Sequence, residues 1–311
     1  MSFRFLLLSL LSLTALHLLP AQAPTTAENS LLWEITRPEW QDTSYLYGTI
    51  HIIPAESYNF SQVAQTAFDR SDRVAFEIDP RDMSDPMAIL PMMGKLMMPG
   101  DTSLSDLLTP AQYDSVQQFF DDKGAPMLSM LVDRMKPMFS SMFTQIDLED
   151  LQGGMMGGGG SGKDDNSSLK SYELELTEAA QAAKKPILGL ETMEFQISLF
   201  DQIPLQRQAD MFMQSIRQTG GEGDDMMTEM VRLYTTQDIV GMVNMMDTPE
   251  SGVQGMEDLL LNSRNAAWIP RMTKYMKTGP VFFAVGAGHL AGEQGVIALL
   301  RGAGYGVRAV R

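Results

Sequence analysis

The chain has 311 residues, with 39 acidic against 23 basic side chains, a formal charge of −16 and no cysteine. That balance argues against nucleic acid and anionic membrane surfaces as partners, since both attract basic patches. Without cysteine there are no disulfides and no thiolate zinc sites, so any metal must be held by His, Asp and Glu.

Residues 1–23 read as a signal peptide. Arg4 opens it, residues 5–19 are apolar, and Ala21-Gln22-Ala23 is a small-residue cleavage pattern. About 15 apolar residues are too few for a membrane span of about 20. The expected product is exported, periplasmic or secreted, with no stable membrane anchor after cleavage, and residues 24–311 form the folded domain.

Residues 31–35 and 44–48 predict two short strands joined by a polar turn around 38–43. Residues 61–71 have helical spacing through Val63, Ala67 and Phe68, with Ser61 as cap. A buried strand follows at 73–78 and ends at Asp79-Pro80. Residues 81–185 read as a helical insertion, amphipathic at 107–120 and broken at Pro137 within 127–143. A glycine run opens a segment, 153–168, that reads as a flexible loop, because such sequence cannot repay the cost of ordering. A helix at 169–184 leads to a short strand at 186–190, with Glu191 at its carboxyl end. Helical patterns fill 192–247, broken near Pro204 and at 220–223, and resume at 259–276. The chain closes with a strand at 281–285, a Gly-rich turn, a helix at 292–301 and a strand at 305–310.

Methionine is abundant at 26 residues, eleven of them between Met83 and Met142. The thioether fills irregular gaps in helical packing; it is also a soft donor of the kind that takes cuprous copper.

Beyond the signal segment the chain has two histidines, and each ends a Gly-x-x-His tetrad. The tetrads are Gly48-Thr49-Ile50-His51 and Gly286-Ala287-Gly288-His289, and each directly follows an apolar run read as a strand. Their glycines read as permitting a positive-φ turn or a close backbone approach. Both ends of the chain run strand, tetrad, loop, helix, strand, an order that favours parallel pairing with right-handed crossovers. The expected fold is α/β: a central, largely parallel or mixed sheet with two related β-GxxH-α-β units and a helical insertion. Sites in such sheets gather at the carboxyl ends of strands. His51, His289, Glu77 or Asp79, and Glu191 all fall at predicted carboxyl ends.

Two imidazoles with one or two carboxylates form a ligand set for a catalytic divalent metal that keeps one position open for water. Glu77 is the expected third ligand, as the end of the strand expected to pack beside the first tetrad. Asp79, one pleat further on the same face, is its substitute. Glu191 reads as a fourth ligand, or as the general base that takes a proton from the water. Arg264, on the helix before the second histidine strand, reads as orienting a carboxylate or a substrate carbonyl. Neither a Gly-x-Ser-x-Gly elbow nor a His-Glu-x-x-His motif is present.

These motifs resemble the TraB/GumN family, which includes bacterial pheromone-shutdown proteins and the animal Tiki proteases. The resemblance is carried by YLYGTIH at 45–51, FEID at 76–79, ILGLETMEFQ at 187–196, Arg264-Asn265 and FAVGAGHL at 283–290. It implies a fold similar to the erythromycin-esterase-like and haem-binding ChaN-like proteins. It also implies a site built from His51, Glu77, Glu191 and His289 around a divalent metal of the manganese, cobalt or zinc type. The function it favours is an exported metal-dependent hydrolase, a peptidase, acting on a peptide or small-molecule substrate. The alternative is a protein that holds haem, a peptide or a signal molecule in the same pocket without turnover.

Overall fold

The described residues hold eight strands: β1 (Leu32–Thr36), β2 (Ser44–Thr49), β3 (Ile53–Pro54), β4 (Arg73–Phe76), β5 (Leu169–Lys170), β6 (Ile187–Gly189), β7 (Val281–Gly286) and β8 (Gly306–Val310). They are described in a computed structural model that covers residues 22–40, 42–83, 86–145, 169–218, 223–248 and 251–311. Residues 1–21 of the expected signal peptide and the expected Gly-rich loop at 153–168 lie outside the described residues.

Six of the strands form one mixed sheet in the order β6-β4-β7-β2-β1-β8, and β3 pairs with β5 in a separate ribbon. The four strands β6, β4, β7 and β2 are mutually parallel, while β1 runs antiparallel to both β2 and β8. At the centre, β7 reads Val-Phe-Phe-Ala-Val before its glycine, and all five residues are buried. A strand flanked on both edges and covered on both faces needs such a continuous apolar run rather than alternation.

One expectation is corrected by this order. The strand that ends at Glu77 does not pack beside the first tetrad's strand: β7 lies between β4 and β2. The two strand-tetrad-helix-strand units also differ in their crossovers. From β2 the chain passes over β7 to reach β4, whereas from β7 it passes over β2 and β1 to reach β8. Local order predicts parallel strands, but not which neighbours they take.

The helix α1 (Gln62–Arg70) buries Ala64, Ala67 and Phe68 against the sheet, and Ser61 caps it by accepting from the Ala64 N–H at 3.2 Å. The insertion is built from short helices: α2 (Pro86–Leu96), α3 (Leu104–Leu107), α4 (Pro110–Asp122), α5 (Pro126–Val132), α6 (Pro137–Ser140) and α7 (Met142–Gln145). After β5 come α8 (Tyr172–Ala182), then α9 (Met193–Leu199), α10 (Leu205–Gln218), α11 (Gly223–Thr235) and α12 (Ile239–Met246). A π-helical turn, Asp258–Asn262, leads into α13 (Ser263–Met276), and α14 (Val296–Gly302) precedes β8.

The insertion has its own core. Leu104, Val116, Phe120 and Val132 bury themselves against Ala209, Phe212 and Met213 of α10. Met135 and Phe139 pack on Ile197 of α9, with Met92, Met97 and Met193 around them. Those methionines fill gaps between helices, whereas Met87, Met127, Met130 and Met142 are exposed. Residues 169–170, expected to open a helix, instead form β5, pairing with Ile53 and Pro54 just after the first tetrad. No helix among the described residues is long and apolar enough to cross a membrane.

Candidate functional site

The strand register sets the site. Thr49 pairs with Gly286, and Phe76 pairs with both Ala284 and Gly189, so the parallel strands end together. Glu77, Glu191, His51 and His289 all follow within three residues of those ends, at one edge of the sheet.

The two tetrads touch. A Cβ on Gly48 would lie 3.0 Å from Ala287 Cβ and 3.1 Å from Ala287 Cα. Neither Gly48 nor Gly286 is a positive-φ residue. Close approach, not turn geometry, is what requires glycine at position 48. The buried Tyr234 hydroxyl donates to the Gly48 carbonyl at 3.0 Å and holds the first tetrad from behind.

Arg264 is the hub. It is only 7% exposed, and its N–H groups are fully engaged. Nε donates to Glu191 Oε1 at 3.0 Å, Nη1 to the Leu260 carbonyl at 2.8 Å and to His289 Nε2 at 3.2 Å. Nη2 donates to Glu77 Oε2 at 2.5 Å and also to Glu191 Oε1. The π-helical turn that contains Leu260 places that carbonyl beneath the guanidinium; such turns recur at functional sites. Gln196 Nε2 ties the two acids together, donating to Glu191 at 2.7 Å and to Glu77 at 3.2 Å.

Glu191 has no oxygen to spare. Oε1 accepts from Arg264 and Gln196, and Oε2 from Trp268 Nε1 at 3.0 Å. This arrangement suits an anchor for Arg264 better than the ligand or base expected of Glu191. Asp79 turns away altogether and pairs with Arg81 through Oδ1 at 2.9 Å and Oδ2 at 2.5 Å.

Glu77 is poised differently. Its Oε1 accepts the Gly286 N–H at 2.8 Å and stands 3.6 Å from His289 Nε2. Burial raises its pKa, but the charges of His289 (protonated in the acid range where Glu77 titrates), Arg264 and His51, with the Gly286 N–H, outweigh burial and hold it at about 2. It is ionised at any working pH.

His289, 4% exposed, stacks on Trp268 with ring centroids 4.5 Å apart. Its tautomer follows from its neighbours. Asn265 Nδ2 donates to the Gln294 carbonyl at 2.9 Å, so Asn265 Oδ1 is the acceptor that faces His289 Nδ1 at 2.6 Å. The proton is on Nδ1, and Nε2 keeps its lone pair. Burial lowers the His289 pKa to about 4, so the ring is neutral at pH 7.

His51 lies at the open side, with 76% of its side chain exposed, and its Nδ1 is 3.2 Å from Glu173 Oε1. Glu173 sits in the first turn of α8 and also accepts from Thr49 Oγ1 at 2.7 Å and Ser171 Oγ at 3.1 Å. The contact with Glu173 raises the His51 pKa to about 9. Glu173, Asn265, Gln196 and Trp268 join the site without a role legible in the sequence. Asn265 and Gln196 lie inside recognisable motifs; Glu173 reads only as an acidic residue in a helix's first turn.

Among the described residues, no group of three or more His, Asp or Glu is gathered around a single point. The donor chemistry nevertheless suits a divalent cation. Nδ1 of each histidine faces an acceptor, so the lone pair falls to Nε2: in His289 it accepts the Arg264 Nη1 N–H at 3.2 Å, and in His51 it becomes available once the ring gives up its second proton, at about pH 9. Glu77 Oε1 faces His289 Nε2 at 3.6 Å, with no proton to share between them. Two buried carboxylates against one guanidinium also leave one negative charge uncompensated, which favours a cation.

The TraB/PrgY/gumN family profile matches residues 31–309 and so covers every element of this site. The chain belongs to the TraB/PrgY/gumN family. Among curated relatives, Metalloprotease TIKI1 of Danio rerio is 24% identical over 91% of this chain and 64% of its own length. Metalloprotease TIKI1 of Xenopus tropicalis is 23% identical over 90% of the chain and 61% of its own length. Metalloprotease TIKI2 of Danio rerio is 31% identical over a shorter stretch, 30% of the chain. The chain thus spans less than two thirds of the length of the curated relatives it matches. No solved structure matches.

Proposed function

We propose that this family member is an exported metal-dependent hydrolase acting on peptides, with a divalent ion of the manganese, cobalt or zinc type held by His51, His289 and Glu77. The observation that carries this reading is the pair of histidines, about 240 residues apart in sequence, brought to one sheet edge with each Nδ1 facing a side-chain oxygen. With Nδ1 so engaged, Nε2 is the nitrogen that each neutral ring would offer to an ion. The curated relatives named as metalloproteases support it, and export rests on the signal segment at the N-terminus.

A divalent ion held by His51, His289 and Glu77 would polarise a water or a substrate carbonyl. The chain's own residues prepare that site. Asn265 fixes the His289 ring and keeps its proton away from Nε2. Arg264 pairs with both Glu77 and Glu191 and holds the two carboxylates side by side. Gln196 and Trp268 hold Glu191, which in turn fixes the guanidinium. Because every Arg264 N–H is engaged, its role in this arrangement is to position Glu77 and His289 rather than to grip substrate.

The test is cleavage of a mixed peptide library, read by mass spectrometry, with ion-stripped protein and with protein supplied with Mn²⁺, Co²⁺ or Zn²⁺. Cleavage that requires the ion and is lost in His289→Ala supports the reading. Equal cleavage by stripped and loaded protein, or by wild type and His289→Ala, overturns it.

A further inference from the structure

We infer that Glu173 is a positioning residue of the site, holding His51 so that its Nε2 faces the ion; this rests on the metal-dependent reading above. The observation is geometric. Glu173 reaches the first tetrad twice, through His51 Nδ1 at 3.2 Å and Thr49 Oγ1 at 2.7 Å. Its second oxygen is fixed by Ser171 Oγ at 3.1 Å. A carboxylate held by two hydroxyls cannot turn freely, and the imidazole that donates to it takes a defined orientation.

The scaffold around Glu173 accounts for its reach. It lies more than 120 residues after the tetrad, beyond the whole helical insertion. The ribbon pairs Ile53 with Lys170 and Pro54 with Leu169, so the chain returns to the tetrad just before α8 begins. Tyr172, fully buried, fixes the start of that helix: its hydroxyl donates to the Asn59 carbonyl and accepts the Asn59 N–H, each at 3.1 Å. The ribbon and the tyrosine thus lock residues 169–173 onto the loop after His51.

The arrangement also matches the other histidine. His289 directs Nδ1 to Asn265 Oδ1 and His51 directs Nδ1 to Glu173 Oε1. Metal-bound imidazoles characteristically donate their second N–H to a carboxylate or carbonyl, which fixes the ring and strengthens the ligating nitrogen. One histidine has a carboxamide partner and the other a carboxylate.

The experiment has two independent arms. In ion-free wild-type protein at pH 10, above the His51 titration, nitrogen-15 NMR should show the His51 ring as the Nδ1–H tautomer, with its signal assigned by loss in His51→Ala. Glu173→Ala should shift the ring towards the Nε2–H form, while Glu173→Gln, which keeps a carbonyl acceptor, should retain Nδ1–H. In the second arm, calorimetric titration with Mn²⁺ alone should show about 10- to 100-fold weaker binding by Glu173→Ala, with a smaller loss in Glu173→Gln. An Nε2–H ring in wild type, or Mn²⁺ binding by Glu173→Ala equal to wild type, would overturn the assignment. If wild-type protein takes up no divalent ion, the metal reading fails, yet the tautomer arm still decides whether Glu173 sets the ring.

Discussion

Gly48 of the first tetrad lies against Ala287 of the second, with no room between them for a methyl group. The contact is to backbone and to a short side chain on a tight turn, and neither is easily displaced. Gly48→Ala should therefore cost about 1–3 kcal/mol of stability through overpacking, seen as a lower urea midpoint. Gly94→Ala is the contrasting case: it lies on an exposed face of α2 with nothing near its added methyl, and should gain about 0.5–1 kcal/mol. Equal effects at the two positions would contradict the close-approach account.

Arg264 sits between two buried carboxylates, so its removal leaves charge without a partner. Arg264→Ala should destabilise the fold by about 3–5 kcal/mol, measured by denaturant unfolding. Adding Glu191→Gln to Arg264→Ala should return part of that loss, because one of the stranded charges is gone. Simple addition of the two single effects would show that the cluster is not coupled.

The pH dependence of stability follows from three groups. His289 has a folded pKa near 4, below the ordinary 6.5, so the unfolded chain binds the extra proton between those values. Its effect is a loss of stability as pH falls from 6.5 towards 4. Glu77, near 2 when folded against an ordinary 4.5, extends the loss as pH falls from 4.5 towards 2. His51, raised to about 9, contributes fully below 6.5 and loses that contribution as pH rises to 9; its exposure weakens this limb. Thermal midpoints should peak near pH 6.5, and His289→Asn should flatten the slope between 6.5 and 4. An unchanged slope in that variant would place the acid sensitivity elsewhere.

Ion binding carries its own pH signature. A His51 that is protonated below about 9 must release that proton to become a ligand. Between pH 6.5 and 9, Mn²⁺ affinity should rise with pH by up to tenfold per unit. Titrations in buffers of different ionisation enthalpy should report one proton released per ion bound. Proton release that persists in His51→Ala would assign it to another group.

Much of the site is legible in the sequence because the strand period and its end are local properties. The apolar run 281–285 and the run before Gly48 mark where strands stop, and in a parallel sheet stops share an edge. His51, His289, Glu77 and Glu191 are placed at that edge from spelling alone. The α/β class follows in the same way, from alternation of strand and helix periods.

What each of those residues touches is set by the tertiary structure. The order β6-β4-β7-β2 seats Glu77 beside the second tetrad, and strand order depends on crossovers that no local pattern encodes. Arg264 reads equally as a surface charge until α13 packs over the edge and buries it between two acids. Glu173 is the clearest case: an ordinary first-turn acid in the sequence, it meets His51 only because a two-residue ribbon closes across the insertion. The sequence determines which chemistry is available and at which edge of the sheet. Packing decides which lone pairs are left over, because hydrogen-bond partners come from segments distant in the chain and only the assembled core brings them within 3 Å or so.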